Sequence, residues 1–90
     1  MIIECVENFT RALEIGPYAW PGGYPTYFIM ADGEALSFES ADDVENAGLI
    51  REAIRDHNDP RWRAVAFEIN WEDPNLYCCH TGKPIPSAYC

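Results

Sequence analysis

The sequence predicts an α+β fold: a small antiparallel sheet of three to four strands, made of two hairpins, with two helices packed on one face. Segments with the period of an amphipathic helix alternate along the chain with segments of alternating apolar residues. The sharpest local signal is Asp32-Gly33 between two apolar runs, because Gly tolerates positive φ and Asp can bond the turn backbone. With 90 residues, we expect one domain over residues 1–90.

The first half of the chain is predicted to form a helix, a loop and a hairpin. Apolar residues recur three and four apart over residues 2–14, and Gly16-Pro17 should end that helix. A short initial strand is the competing interpretation, because Ile2 and Ile3 favour strands. Pro and Gly are so dense in residues 16–25 that we expect a loop there, followed by the hairpin over residues 24–40 with a turn of two or three residues.

The second half is predicted to form a helix and a second hairpin. Ser40 is the expected N-cap of a helix that runs to about His57, where Asn58-Asp59-Pro60 should end it. Residues 62–71 alternate apolar and mixed positions and predict a strand. A turn at residues 72–75 should return the chain as a short antiparallel strand over residues 76–79, followed by an extended tail.

Acidic side chains dominate the first half of the chain. There are 15 Asp and Glu against six Lys and Arg, a formal net charge of −9. No basic residue lies between Arg11 and Arg51, whereas residues 51–63 hold four of the six. The predicted partner-binding residues are Asp32, Glu34, Glu39, Asp42, Asp43 and Glu45, together with the aromatic Tyr18 and Trp20.

Two interpretations of this charge pattern remain open. The carboxylates could form a solvated face that keeps the protein soluble. The alternative is a docking face for a larger protein with a basic surface, such as a groove that otherwise holds nucleic acid. Direct nucleic-acid binding is disfavoured, because phosphate contacts need Lys or Arg and the chain has only six. The sequence does not indicate an oligomeric state.

Composition narrows the cellular setting. An apolar fraction of 48% argues against disorder. No apolar run is long enough for a membrane span, and the first residues of the sequence lack the basic region followed by an apolar stretch that is typical of a secretory signal. We therefore expect a cytoplasmic protein without a membrane partner, in which the four cysteines are free thiols.

The most chemically suggestive segment lies near the C-terminus. Residues 78–85 read Cys-Cys-His-Thr-Gly-Lys-Pro-Ile and resemble the knuckle of a zinc ribbon, with Thr81 where that pattern has its second cysteine. An alternative function is therefore a metal-binding or redox module that uses Cys78, Cys79, His80 and Cys90. A set of four zinc ligands made of Cys78, His80, Cys90 and Cys5 would require the two termini to converge. The chain lacks a phosphate-binding loop and a nucleophile elbow. We predict a protein that is not an enzyme and that holds no metal or cofactor.

A family resemblance points in the same direction. The order WPGGYP, an Asp-Gly hairpin, NWEDP and CHTGKPIPSAY resembles small proteins carried by bacteria, phages and other mobile elements. In size and charge the chain is similar to anti-CRISPR proteins. This likeness in size, charge and setting, rather than in motif, suggests an inhibitor that occupies a basic surface of its target. A structural accessory subunit that docks through the aromatic loop around Tyr18 and Trp20 is a further possibility.

Overall fold

The computed structural model describes residues 1–19, 23–73 and 75–87 and has the predicted α+β architecture. Antiparallel strands and helices make up the described part of the chain. The elements in chain order are α1 (Val6–Ile15), β1 (Tyr18–Ala19), β2 (Tyr24–Met30), β3 (Ala35–Ser37), α2 (Phe38–Asp42), α3 (Val44–Asp56) and β4 (Ala64–Ile69).

Strand β2 is the central strand of the sheet. It pairs antiparallel with β4 along one edge. Its other edge is shared by β1 and β3, which follow one another along it. The hydrogen bonds show this, because the Thr26 N–H donates to the Pro17 carbonyl (3.0 Å) and the Met30 N–H donates to the Glu34 carbonyl (2.9 Å). The backbone N–H and C=O groups of the even-numbered residues in β2 therefore point to the edge that β1 occupies at one end and β3 at the other.

The hairpin between β2 and β3 is the predicted one. Its loop has three residues, since Met30 and Glu34 close it with a backbone hydrogen bond. Gly33 takes a φ of 87°, the left-handed conformation that the third residue of such a loop requires. The prediction is wrong beyond Ser37, where the chain turns into α2 instead of continuing as a strand.

The N-terminal segment contains both a strand-like bridge and a helix, the two structures that its sequence predicts. Ile2 forms a bridge with Ala66, and the Ile3 N–H donates to the Val65 carbonyl at 2.9 Å. The first residues thus lie along the outer edge of β4, and α1 begins only at Val6. As predicted, Gly16 ends this helix, with a φ of 92° that favours glycine.

The helix predicted from Ser40 to about His57 is two helices, and its predicted cap is wrong. Asp43 has extended backbone angles (φ −61°, ψ 134°) and separates α2 from α3. Ser37 caps α2, and Asp43 caps α3 by accepting the N–H groups of Glu45 (3.0 Å) and Asn46 (3.3 Å). Ser40 cannot be the N-cap of either helix because it lies inside α2, where its hydroxyl points inward to the Cys78 sulfur, 3.4 Å away.

The second predicted hairpin does not form within the described residues. Strand β4 pairs with β2, whereas residues 76–79 contain no strand. The C-terminal segment instead folds on itself, since the Cys78 N–H bonds to the Lys83 carbonyl (2.9 Å) and the Ile85 N–H to the Leu76 carbonyl (2.8 Å). We call residues 78–83 the C-terminal turn. The buried Asn70 side chain holds this segment by donating to the backbone carbonyls of residues 73, 85 and 86.

The core lies between one face of the sheet and all three helices. Phe28 is fully buried, and its ring packs against Phe9 of α1, Phe38 of α2 and Phe67 of β4 at centroid distances from 4.8 to 6.2 Å. Ile50 of α3 belongs to the same cluster. The helices thus cover the Phe28 face, as predicted. No helix in the described ranges has the length and apolarity to cross a membrane.

Replacing Phe28 tests this account of the core. We expect Phe28→Ala to lower the free energy of unfolding by about 3–5 kcal/mol, because it removes the ring that joins two helices to two strands. Urea unfolding followed by circular dichroism measures the change. Leu49→Ala is the matched control, since Leu49 is 44% exposed on α3 and its loss should cost no more than about 0.5 kcal/mol. Equal losses for the two variants would contradict the account.

Candidate protein-docking surface and groove

The six carboxylates predicted to bind a partner are all exposed. The described residues form three ion pairs, which join the Met1 amine to Glu68, Arg55 to Asp56 and Arg61 to Asp59. None of the six acids takes part in them. Their charges are therefore not neutralised by an ion pair within the described part of the chain.

The arginines of residues 51–63 have other contacts. The guanidinium of Arg51 lies over the Phe9 ring, 5.4 Å from its centroid. Arg55 and Arg61 pair with the acids nearest to them in the chain. Arg63 lies 3.4 Å from the His57 ring nitrogen. The four arginines of this segment thus contact residues other than the six predicted partner-binding acids.

The six acids fall into two groups that β3 separates. Asp32 and Glu34 lie in the hairpin loop before β3, and the other four follow it on α2 and α3. Three strand residues span roughly 10 Å. Asp32 also lines a cavity of about 210 Å³ together with Arg61. The group on α2 and α3 is the more strongly acidic of the two.

The junction of α2 and α3 presents an apolar side chain among acids. Val44 is 87% exposed, the highest value among the large exposed apolar residues. Asp42, Asp43 and Glu45 flank it in sequence and are exposed too. We call residues 42–45 the acidic junction. The helical period of the sequence predicts that Val44 lies on the buried side of the helix. This prediction is wrong, because Val44 is the first residue of α3 and is exposed.

A groove opens beside this junction, where β3 ends and β1 begins along the edge of β2. It has a volume of about 440 Å³. Glu39 and Asp43 lie on its α2–α3 side, whereas Lys83 of the C-terminal turn and Tyr18 of β1 line other parts of it. Four prolines contribute apolar surface, namely Pro17, Pro25, Pro84 and Pro86. We call it the β1–α2 groove.

The two aromatic residues predicted to bind a partner have different outcomes. Tyr18 is 52% exposed and lines the β1–α2 groove, so the structure brings it together with Glu39 and Asp43. Trp20 lies outside the described residues. The predicted aromatic loop is therefore represented at this groove by Tyr18.

Cys78 is buried at the edge of β3, 2% exposed, and its sulfur is surrounded by donors. The Ser37 N–H and the Ser40 hydroxyl each lie 3.4 Å from it. The Ser37 hydroxyl is 3.0 Å from that of Ser40 and also accepts the Ser40 N–H. If Ser37 donates to Ser40, the Ser40 proton is free to point at the sulfur. Donors directed at the sulfur favour a hydrogen-bond acceptor at this position, and a thiolate accepts hydrogen bonds.

These contacts change the pKa of Cys78. Burial by itself opposes ionisation, but hydrogen bonds from Ser37, Ser40 and the backbone of Thr81 outweigh it and lower the pKa of the thiol to about 6. Burial raises the pKa of the neighbouring Cys79 thiol, and the charges of Cys78, Asp32 and Glu34 raise it further. The pKa values of the two neighbouring thiols are thus shifted in opposite directions, downward for buried Cys78 and upward for exposed Cys79.

The C-terminal turn does not bring the predicted metal ligands together. The Cys78 sulfur points to the serines, Cys79 is exposed, and the His80 ring packs near Trp62 at a centroid distance of 5.7 Å. Cys90 lies outside the described residues. Within residues 1–19, 23–73 and 75–87 there is no group of three or more His, Cys, Asp or Glu that could hold a metal ion.

Comparisons with known proteins add no assignment. No family model, curated protein or solved structure matches this chain. The resemblance to proteins of phages and mobile elements therefore stays a prediction.

The pH dependence of stability tests the Cys78 network. Because the folded pKa of about 6 lies below the ordinary 9.0 of an unfolded thiol, folding favours the thiolate. This stabilisation is complete above pH 9 and is lost as the pH falls through 6. Relative to Cys78→Ser, the free energy of unfolding of the natural chain should rise by up to about 1.4 kcal/mol per pH unit between pH 6 and 9.

Urea unfolding at pH 6, 7, 8 and 9 measures this difference. Cys79→Ser is the matched control and should keep the rise with pH, since the pKa of Cys79 is shifted in the opposite direction. Parallel pH profiles for the natural chain and Cys78→Ser would show that the buried sulfur stays protonated in the folded protein.

Proposed function

We propose that this chain is a non-enzymatic protein-binding module that docks through its acidic junction and the adjoining groove on a basic surface of a larger protein. One observation carries the proposal: Glu39, Asp42, Asp43 and Glu45 are exposed on neighbouring turns of α2 and α3, and no ion pair within the described residues neutralises them. Acids that the fold leaves unpaired are available to a cationic partner.

Val44 supports docking over simple solvation. Interfaces combine apolar contacts with a polar rim, so an exposed aliphatic side chain beside the acids offers a partner an apolar contact. Val44 is 87% exposed and has acids on both sides in the chain. The acidic junction has this arrangement on a small scale.

The proposed consequence of docking is inhibition. A basic surface on a large protein commonly holds nucleic acid, whose phosphates provide regularly spaced negative charge. A chain with a formal charge of −9 that covers such a surface would exclude the nucleic acid by repulsion and by occupancy. This action is the one expected of an anti-CRISPR-like inhibitor whose target has a basic surface that binds nucleic acid.

Charge reversal at the acidic junction tests the proposal. The partner is isolated by affinity capture and purified, and its Kd is then measured by calorimetry at 0.1 and 0.5 M salt. We expect Asp42→Lys with Glu45→Lys to weaken binding at least about tenfold at low salt, because like charges then face each other. Asp43 is left unchanged because it caps α3.

The matched control carries the same change of charge elsewhere. Glu14→Lys with Glu72→Lys alters two exposed acids outside the acidic junction and the groove. This variant should change the Kd by no more than about threefold, through net charge alone. An equal effect of both double variants would refute docking at the acidic junction, and circular dichroism verifies that each variant folds.

A separate substitution tests the apolar contact. We expect Val44→Ser to weaken binding by about three- to tenfold, because it removes the methyl groups that the bound partner would bury. The salt dependence of the Kd should stay that of the natural chain, since no charge changes. Unchanged affinity would show that Val44 is not in the interface.

A further inference from the structure

The β1–α2 groove lies at a gap in the edge of the sheet. Strand β1 pairs with Tyr24 and Pro25 of β2, and β3 pairs only from Tyr27 onward. Thr26 lies between these partners, and the groove opens at this point. Its volume of about 440 Å³ is within the range of roughly 300–1,000 Å³ that is usual for ligand sites.

The surfaces of the groove are chemically unlike each other. Tyr18 is half exposed, and the prolines beside it add apolar surface without backbone N–H donors. Glu39 and Asp43 supply carboxylates. Asp43 uses one oxygen, Oδ1, to cap α3, and no hydrogen bond in the described part of the chain engages its Oδ2. The groove thus combines an aromatic ring with carboxylate acceptors.

We propose that this groove binds an arginine side chain of the partner, with the guanidinium against the Tyr18 ring and its N–H groups directed to Glu39 and Asp43. The inference rests on the proposed function and names the type of side chain on the partner that the acidic surface binds. Arginine fits better than lysine, because its planar guanidinium stacks on an aromatic ring and forks onto carboxylates, whereas an ammonium is a strongly hydrated point charge.

Lys83 gives the proposal a second, independent test. It is the one Lys or Arg among the described residues that line the groove. Its positive charge opposes a cationic guest, so removal of that charge should strengthen binding. A structural role of the groove in folding predicts no such gain.

The experiment titrates isotope-labelled protein with acetyl-arginine methylamide and follows the amide resonances by NMR. The lysine analogue and the citrulline analogue, which is neutral but nearly the same shape as arginine, are titrated in parallel. We expect shifts centred on Tyr18, Glu39 and Lys83, binding of arginine at least about threefold tighter than lysine, and no saturable binding of citrulline.

Two variants with matched controls complete the test. Tyr18→Leu should weaken arginine binding by about two- to fivefold, the usual size of an exposed cation–π contact, whereas Tyr77→Leu, at a tyrosine of equal exposure outside the groove, should not. Lys83→Met should tighten binding by at least about twofold, and Arg11→Met should not. All four positions are exposed, so the fold is expected to persist.

Arginine and lysine binding with equal affinity, shifts away from the groove, or the absence of binding would each overturn the inference. The proposed function would stand in those cases if charge reversal at Asp42 and Glu45 still weakened binding of the purified partner. Loss of the effect of charge reversal, with arginine binding retained, would instead refute docking at the acidic junction and leave the groove as a separate site.

Discussion

The packing of Phe28 is the contact on which the rest of the structure depends. Its ring touches α1, α2 and β4 through Phe9, Phe38 and Phe67. In a chain of 90 residues few large side chains can be buried, so one central ring has to fix the relative positions of several elements. The chain leaves the sheet after Ser37 and turns into α2, and Phe38 at the start of that helix packs against Phe28. The end of β3 and the position of the groove follow from that turn.

The burial of Cys78 is a second consequence of this early turn. Ser37 ends β3 and caps α2, so its N–H points outward from the sheet edge to the Cys78 sulfur. The Cys79 N–H bonds to the Ala35 carbonyl at 2.8 Å and covers the same edge. The C-terminal turn thereby shields β3, which would otherwise expose unpaired backbone groups. It also forms part of the groove, so one segment protects the sheet and shapes the candidate site.

The end of α1 and the hairpin loop could be predicted from the residues within them. Gly16 ends α1 and Gly33 closes the hairpin loop because each occupies a conformation that glycine favours. The partner of β4 and the fold of the C-terminal turn could not be predicted in this way, because they depend on contacts distant in sequence. The buried Asn70, which bonds to residues 85 and 86, is an example.

The candidate site was predictable in its residue types but not in its arrangement. The acids between residues 32 and 45 were visible as a run of one sign, and Tyr18 as an aromatic residue of a loop that could either cover the core or be exposed. Their division into a loop group and a helix group follows from β3, whose length no charge pattern reveals. The helix break at Asp43 was also missed, because Ser40 is an equally good cap by sequence. In the structure Ser40 lies inside α2, and its own N–H is capped by Ser37.

The most direct measurement is the footprint of the purified partner on this chain, recorded as protection from amide hydrogen exchange. The account predicts protection centred on residues 39–45 and on the backbone near Tyr18 and Lys83, with the opposite face of the sheet unchanged. That opposite face carries Ile2, which is 64% exposed, and Ile29, both paired with Ala66. Protection confined to residues around Ile2 and Ile29, with α2 and the start of α3 exchanging as in the free protein, would contradict it.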